Sequence, residues 1–146
     1  MDFGETMRAR IWVAMILWVC LDSSLVFADE AAENPKTAAA AQSWLAQIDS
    51  GNYAKSWKEA SAYFRAALTE KAWTDALNGT RKPLGKLVSR KLTKAQNAQS
   101  LPGAPDGNYV VMQFDTSFIN KKDAVETVTF MQEKDGKWKA AGYYIK

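Results

Sequence analysis

Val125-Glu126-Thr127-Val128-Thr129-Phe130-Met131-Gln132-Glu133-Lys134-Asp135-Gly136-Lys137-Trp138-Lys139-Ala140-Ala141-Gly142-Tyr143-Tyr144-Ile145 is the stretch whose reading decides the fold. β-Branched and aromatic residues recur at alternate positions on both sides of Asp135-Gly136, which is the period of two strands. Asp-Gly between strands is the preferred two-residue type I′ turn. With that turn Lys134 pairs with Lys137, which sets Val128 opposite Tyr143 and Phe130 opposite Ala141. One face then carries Val128, Phe130, Ala141, Tyr143 and Ile145, and the other carries Thr127, Thr129, Met131, Trp138, Ala140 and Tyr144. The first face is the more aliphatic and is assigned to the core.

Upstream, Val110, Met112, Phe114, Thr116 and Phe118 form a second apolar alternation. Joining the two apolar sets with Lys121-Lys122-Asp123 as the loop sets Phe114 opposite Phe130 and keeps both sets on one face. A further strand covers roughly residues 86–98, so the expected sheet has four antiparallel strands, near 86–98, 109–119, 125–134 and 138–145. Residues 102–107, rich in Pro and Gly, separate the first two strands.

N-terminal to the sheet the period lengthens to that of helices. Ala41, Trp44, Leu45 and Ile48 fall at i, i+3, i+4 and i+7, an amphipathic stripe, and Gly51 stops it. Tyr53, Trp57, Ala60 and Phe64 mark a second helix, and Thr69 is an N-cap for a third, which Asn78-Gly79 closes. Trp44, Trp57 and Trp73 take helical spacing and belong to the core. The expected fold is α+β: three N-terminal helices packed on a curved four-stranded antiparallel sheet, with one domain over residues 37–146.

Outside that domain, Arg8 and Arg10 precede the apolar run from Ile11 to Leu21, and the following segment Asp22 to Ala28 ends with small residues at its third-last and last positions, Val26 and Ala28. This is the order of a secretory signal with cleavage after Ala28. Asp22 ends the run short of the roughly 20 residues that a spanning helix needs, so no stable membrane anchor is expected after cleavage. The reading is a signal peptide over residues 1–28, a flexible leader over 29–36, and a periplasmic or secreted destination.

The one cysteine, Cys20, lies inside the signal, and the chain has no histidine. Disulfides, Cys or His nucleophile systems and zinc sites built on these residues are excluded, and neither a metal nor a cofactor is expected. The whole chain has 19 basic and 16 acidic side chains. Two and three of these leave with residues 1–28, so 17 and 13 remain. From Ala76 to Pro105 there is no acid, while Arg81, Lys82, Lys86, Arg90, Lys91 and Lys94 crowd together. Such a run suits either a solvated strand edge or an anionic partner.

Trp44-Leu45, Ile48-Asp49, Gly51-x-Tyr53, Ser56-Trp57, Trp73, Arg81-x-Pro83-Leu84-Gly85, Arg90, the stretch from Leu101 to Tyr109, Gly136-Lys137-Trp138 and Gly142-Tyr143-Tyr144 resemble the exported bacterial family known as domain of unknown function 4019. More loosely, the opening helix, the Gly51-x-Tyr53 turn and the closing sheet resemble the NTF2-like, cystatin-like superfamily. That resemblance implies a cone-shaped cavity between helices and curved sheet. It implies no activity, since the superfamily includes both isomerases and non-catalytic modules.

Three functions are compatible with these residues. A cavity enzyme resembling ketosteroid isomerase relatives would use a carboxylate and a tyrosine. Glu126 with Tyr143 is the one available pair, although Glu126 is expected at a strand end in solvent. A binding module for a small anionic ligand would use Arg90 with Glu126 and Tyr143. Arg90 faces the cavity if Val88 and Leu92 do, and is a surface charge if Leu87 faces inward. A protein-interaction domain, or a homodimer, would use Met131, Trp138 and Tyr144 on the face away from the helices. No catalytic residue is assigned and a non-catalytic module is favoured. Nucleic acid is not an expected partner, because no basic-aromatic pattern of the known modules occurs.

Overall fold

A computed structural model describes residues 35–146; the signal peptide and most of the leader read from the sequence lie outside them. The elements are helices α1 (Pro35–Asp49), α2 (Tyr53–Glu59), α3 (Ala62–Ala67) and α4 (Glu70–Thr80), a 3₁₀ turn (Lys82–Leu84), and strands β1 (Leu87–Ala98), β2 (Tyr109–Phe118), β3 (Lys121–Gln132) and β4 (Trp138–Ile145). The strands form one antiparallel sheet in the order β1-β2-β3-β4. The helices pack on one of its faces, so the α+β architecture stands.

Local chemistry explains the boundaries. Pro35 opens α1, where its missing N–H is no loss, so the helix takes in the last two residues assigned to the leader. Gly51 carries a φ of 80°, a left-handed conformation cheap only for glycine, and it turns the chain from α1 into α2. The single second helix expected from the sequence is two: Ser61 breaks it, its side chain accepting from the Phe64 N–H to cap α3. Thr69 caps α4 through the Ala72 N–H, as its position implies. Helix α4 runs through Asn78-Gly79 to Thr80, so that pair does not close it.

The core sits between α1, α2, α4 and the inner face of the sheet. Trp44 stacks on Trp73 with ring centroids 5.9 Å apart, and Phe64, Phe130 and Tyr143 meet these indoles edge-on. A buried indole N–H needs an acceptor. Ser56 serves two of them, Trp44 through its carbonyl at 2.8 Å and Trp73 through its hydroxyl at 2.9 Å. Trp57 donates to the Leu68 carbonyl.

Two register expectations are corrected. Val110 lies opposite Phe130, Met112 opposite Val128 and Phe114 opposite Glu126, four residues from the expected pairing of Phe114 with Phe130. Phe118 pairs with Lys121, leaving Ile119-Asn120 as the turn and extending β3 toward its N-terminus. A slip of four is even and leaves every side chain on its expected face, so Phe114, Val128 and Phe130 remain buried against the helices. In the β3–β4 hairpin the Gly136 N–H donates to the Glu133 carbonyl, the Glu133 N–H to the Lys137 carbonyl, and Gly136 has a φ of 81°. The loop is therefore Lys134-Asp135-Gly136 with a glycine bulge, not the two-residue type I′ turn. A second irregularity lets Phe130 pair with Ala140 while Thr129 pairs with Gly142, so Ala141 is the extra residue. An extra residue reverses the alternation beyond it. Ala140 and Trp138 thus move to the helix-facing side, and Ala141 is not opposite Phe130.

Candidate functional site

The inner face of β1 to β4 has an apolar half and a polar half, and the polar half converges on Glu126. Because β3 begins at Lys121, Glu126 is a mid-strand residue rather than a solvated strand end, and it is fully buried. Its carboxylate accepts from Arg90 Nε at 2.7 Å, Arg90 Nη2 at 3.2 Å and Thr116 Oγ1 at 2.7 Å, and from the Tyr143 hydroxyl. Arg90 also holds Asp49, at the end of α1, through Nη1 at 2.7 Å and Nη2 at 2.9 Å. Arg81 reaches the same carboxylate at 3.1 Å, donates to the Gly85 carbonyl at 2.7 Å, and lies 4.2 Å from the centroid of the Phe118 ring.

Each of these positions has a local cause. Arg90 points inward because β1 is bulged: Leu87 pairs with Phe118, Val88 is the extra residue and stands 63% exposed, and Arg90 then pairs with Thr116. The two alternatives for Arg90 are reconciled, since Leu87 and Arg90 share the inner face with Val88 between them turned out. Asp49 follows Leu45 by four residues and so extends the buried stripe of α1. Gly85, with a φ of 76°, lets the chain turn after the 3₁₀ segment so that its carbonyl meets Arg81. Its missing side chain also matters, for a Cβ there would lie 3.1 Å from Asn120 Nδ2.

Two guanidinium groups face two carboxylates, so the cluster is neutral. Burial alone would lower the Arg90 pKa, but hydrogen bonds and charge from Asp49 and Glu126 outweigh it and hold the group well above its usual value. Burial, followed by the charge of Glu126 and the hydrogen bond to it, raises the Tyr143 hydroxyl above the ordinary tyrosine range. Tyr143 is thus a protonated donor, and its proton is already committed to Glu126.

The structure therefore brings together Arg90, Glu126 and Tyr143, and joins to them Asp49, Arg81 and Thr116, which the sequence had not singled out as site residues. Thr116 was legible as an inner-face residue of β2, and Asp49 as a polar residue on an apolar helix stripe. Arg81 carried no sequence signal for burial. Met131, Trp138 and Tyr144 are not brought together, and the exposed trio expected on the outer face is corrected. Trp138 packs against the core from the inner face. Met131 pairs with Lys139 and Tyr144 with Thr127 on the outer side; the four-position step from Thr127 to Met131 spans about 13 Å of strand. Of the three, only Tyr144 is highly exposed. Among the described residues no group of three or more acidic, His or Cys side chains is placed to hold a metal ion, and no helix is long and apolar enough to cross a membrane.

Helices laid over one face of an antiparallel meander, with a neutral and largely buried ion cluster between them, define the class of this domain. Residues 40–143 match the model of the family described as Protein of unknown function (DUF4019), and the chain belongs to that family. Comparisons with curated proteins and with solved structures returned no match. Asp49, Gly51, Ser56, Trp73, Arg81, Gly85, Arg90 and Tyr143, which carry part of the resemblance, are among the residues that make the ion cluster, the indole anchors and the left-handed turns.

Proposed function

We propose that this domain is an exported, non-catalytic binding module with an NTF2-like, cystatin-like fold whose interior is filled rather than open. The observation that carries the reading is the saturation of Glu126: a fully buried carboxylate that accepts four hydrogen bonds from three side chains has no lone pair left for a substrate proton. A general base must reach the proton it takes, and here Arg90, Thr116 and Tyr143 occupy every approach. Tyr143 points its hydrogen at that same carboxylate, so it offers none to a substrate oxyanion. Trp44 and Trp73 fill the space where a cone-shaped cavity would lie.

The export part of the proposal rests on Arg8, Arg10, the run from Ile11 to Leu21 and the small residues up to Ala28. Sequencing the N-terminus of the protein from its own host should give Asp29; retention of the residues that precede Ala28 would overturn it. For the interior, Glu126→Gln removes a charge and turns an amide donor toward existing donors. The variant should lose about 3–5 kcal/mol of stability in urea titrations, the usual result of breaking a buried pair. Turnover of any substrate found by screening the wild type, abolished in Glu126→Gln or Tyr143→Phe while a stabilised variant stays folded, would return the carboxylate and tyrosine to an enzymatic role.

A further inference from the structure

At the other end of α1 from the ion cluster lies an open groove of about 600 Å³. Its apolar wall is made by Ala40, Trp44, Phe130, Trp138 and Ala140; Lys36 and Lys58 stand on its helix side, Lys137 and Lys139 alternate with Trp138 and Ala140 along the β4 edge, and Glu59 is the single acid. Glu59 is already engaged, accepting from Gln47 Nε2 and lying 3.8 Å from Lys55. Lys58 makes only a loose contact, 4.0 Å from Glu70, and among the described residues Lys36, Lys137 and Lys139 form no ion pair.

The groove runs beside β4, which is an edge strand. The Ala140 carbonyl turns away from β3 to accept the Ser61 N–H at 2.8 Å, whereas the Lys137 carbonyl turns toward β3 to accept from Glu133. Alternation in an antiparallel ladder therefore turns both the N–H and the C=O of Trp138 outward. Among the described residues no hydrogen bond from another element reaches them.

We propose that this groove binds an acidic, extended segment of a partner protein as a strand added to β4. The added main chain bonds to Trp138, alternate carboxylates meet the lysine rim, and an apolar side chain seats between Trp44 and Trp138, which is the division of labour in strand addition. A second copy of the same edge is disfavoured, because it would bring Lys137 and Lys139 against their own kind. The proposal rests on reading the domain as a binding module, but its test does not touch the interior.

The test is fluorescence anisotropy at low salt with the full-length chain, in the form its expressing cell processes it to. The probe is a short labelled peptide of alternating glutamate and valine. Three controls accompany it: the lysine-valine counterpart, the glutamate peptide N-methylated at alternate residues, and dodecanoate as competitor. Saturable binding below about 1 mM is expected, absent for the lysine peptide. Both N-methylation and the double substitution Lys137→Glu with Lys139→Glu should weaken it by at least about tenfold. Equal binding of the N-methylated peptide overturns strand addition, and tighter binding of dodecanoate assigns the groove to a small amphipathic acid instead. Binding that appears only when residues 29–34 are deleted makes the chain's own acidic segment the occupant. No saturation by 1 mM overturns the proposal while leaving the interior reading intact.

Discussion

The two ends of α1 use the same chemistry to opposite effect. At its C-terminal end Asp49, Arg81, Arg90 and Glu126 are buried or nearly so, and each is ion-paired within the cluster. At its N-terminal end Lys36, Lys137 and Lys139 surround an apolar groove and lack partners among the described residues. A buried charge cannot persist unpaired, so the first cluster is committed to the fold. An exposed ammonium is stable in water, and it stays available to a partner. The side chains that look most chemical in the sequence are therefore the least free to act, and the bland rim lysines are the ones open to recognition.

The largest effect that could break this contrast comes from Arg90→Met. It leaves Asp49 with Arg81 alone and Glu126 without a cation, and should cost about 3–5 kcal/mol in urea denaturation. A loss below about 1 kcal/mol would mean that the cluster is not what holds the sheet to α1. Tyr143→Phe keeps the ring against Trp44 and Trp73 but takes one donor from Glu126, which should cost about 1–3 kcal/mol. The same variant sharpens the electrostatics. The folded Tyr143 pKa lies above its ordinary value of 10.0, so its contribution is fully present below pH 10 and falls as pH rises further, when only the unfolded chain releases the proton. Between pH 10 and 11 wild-type stability should therefore drop more steeply than that of Tyr143→Phe, by up to about 1.4 kcal/mol per pH unit.

At the groove end the expected effects on stability are smaller. Gly136→Ala forces a Cβ into a φ of 81°, although nothing lies within 4 Å of it, so the cost is conformational only and should be about 1 kcal/mol. A thermal melt reads it, and an unchanged melting temperature would mean the hairpin loop rearranges freely. Lys137→Glu with Lys139→Glu should change stability by less than about 0.5 kcal/mol while altering what the groove binds. A loss comparable to that of Arg90→Met would place these lysines in the fold rather than on a free rim.

Alternation along β2 and β3 was enough to assign inner and outer faces, because a strand's side chains change sides at every residue whatever its neighbour does. It was not enough to pair the strands. Choosing Lys121-Lys122-Asp123 over Ile119-Asn120 as the turn left Phe114 four residues from its true partner, and only the even slip preserved the faces. Past Ala141 the alternation itself failed: the extra residue carried Trp138 inward and dissolved the patch formed on paper with Met131 and Tyr144. Bulges carry no composition signal strong enough to read in Val88 or Ala141, since both are ordinary strand residues.

What the sequence by itself determined is the order of helices and strands, the caps at Thr69 and Gly51, the indole core and the inner-face parity of β2 and β3. Each is set by residues within a turn or two of one another. The commitment of Glu126 was decided only by the tertiary structure, because its partners Arg90, Thr116 and Tyr143 come from three other strands, and Asp49 joins through a helix 41 residues away from Arg90. A carboxylate is a base, a ligand or a structural bolt according to which donors surround it, and those donors are assembled by long-range packing that no local pattern encodes.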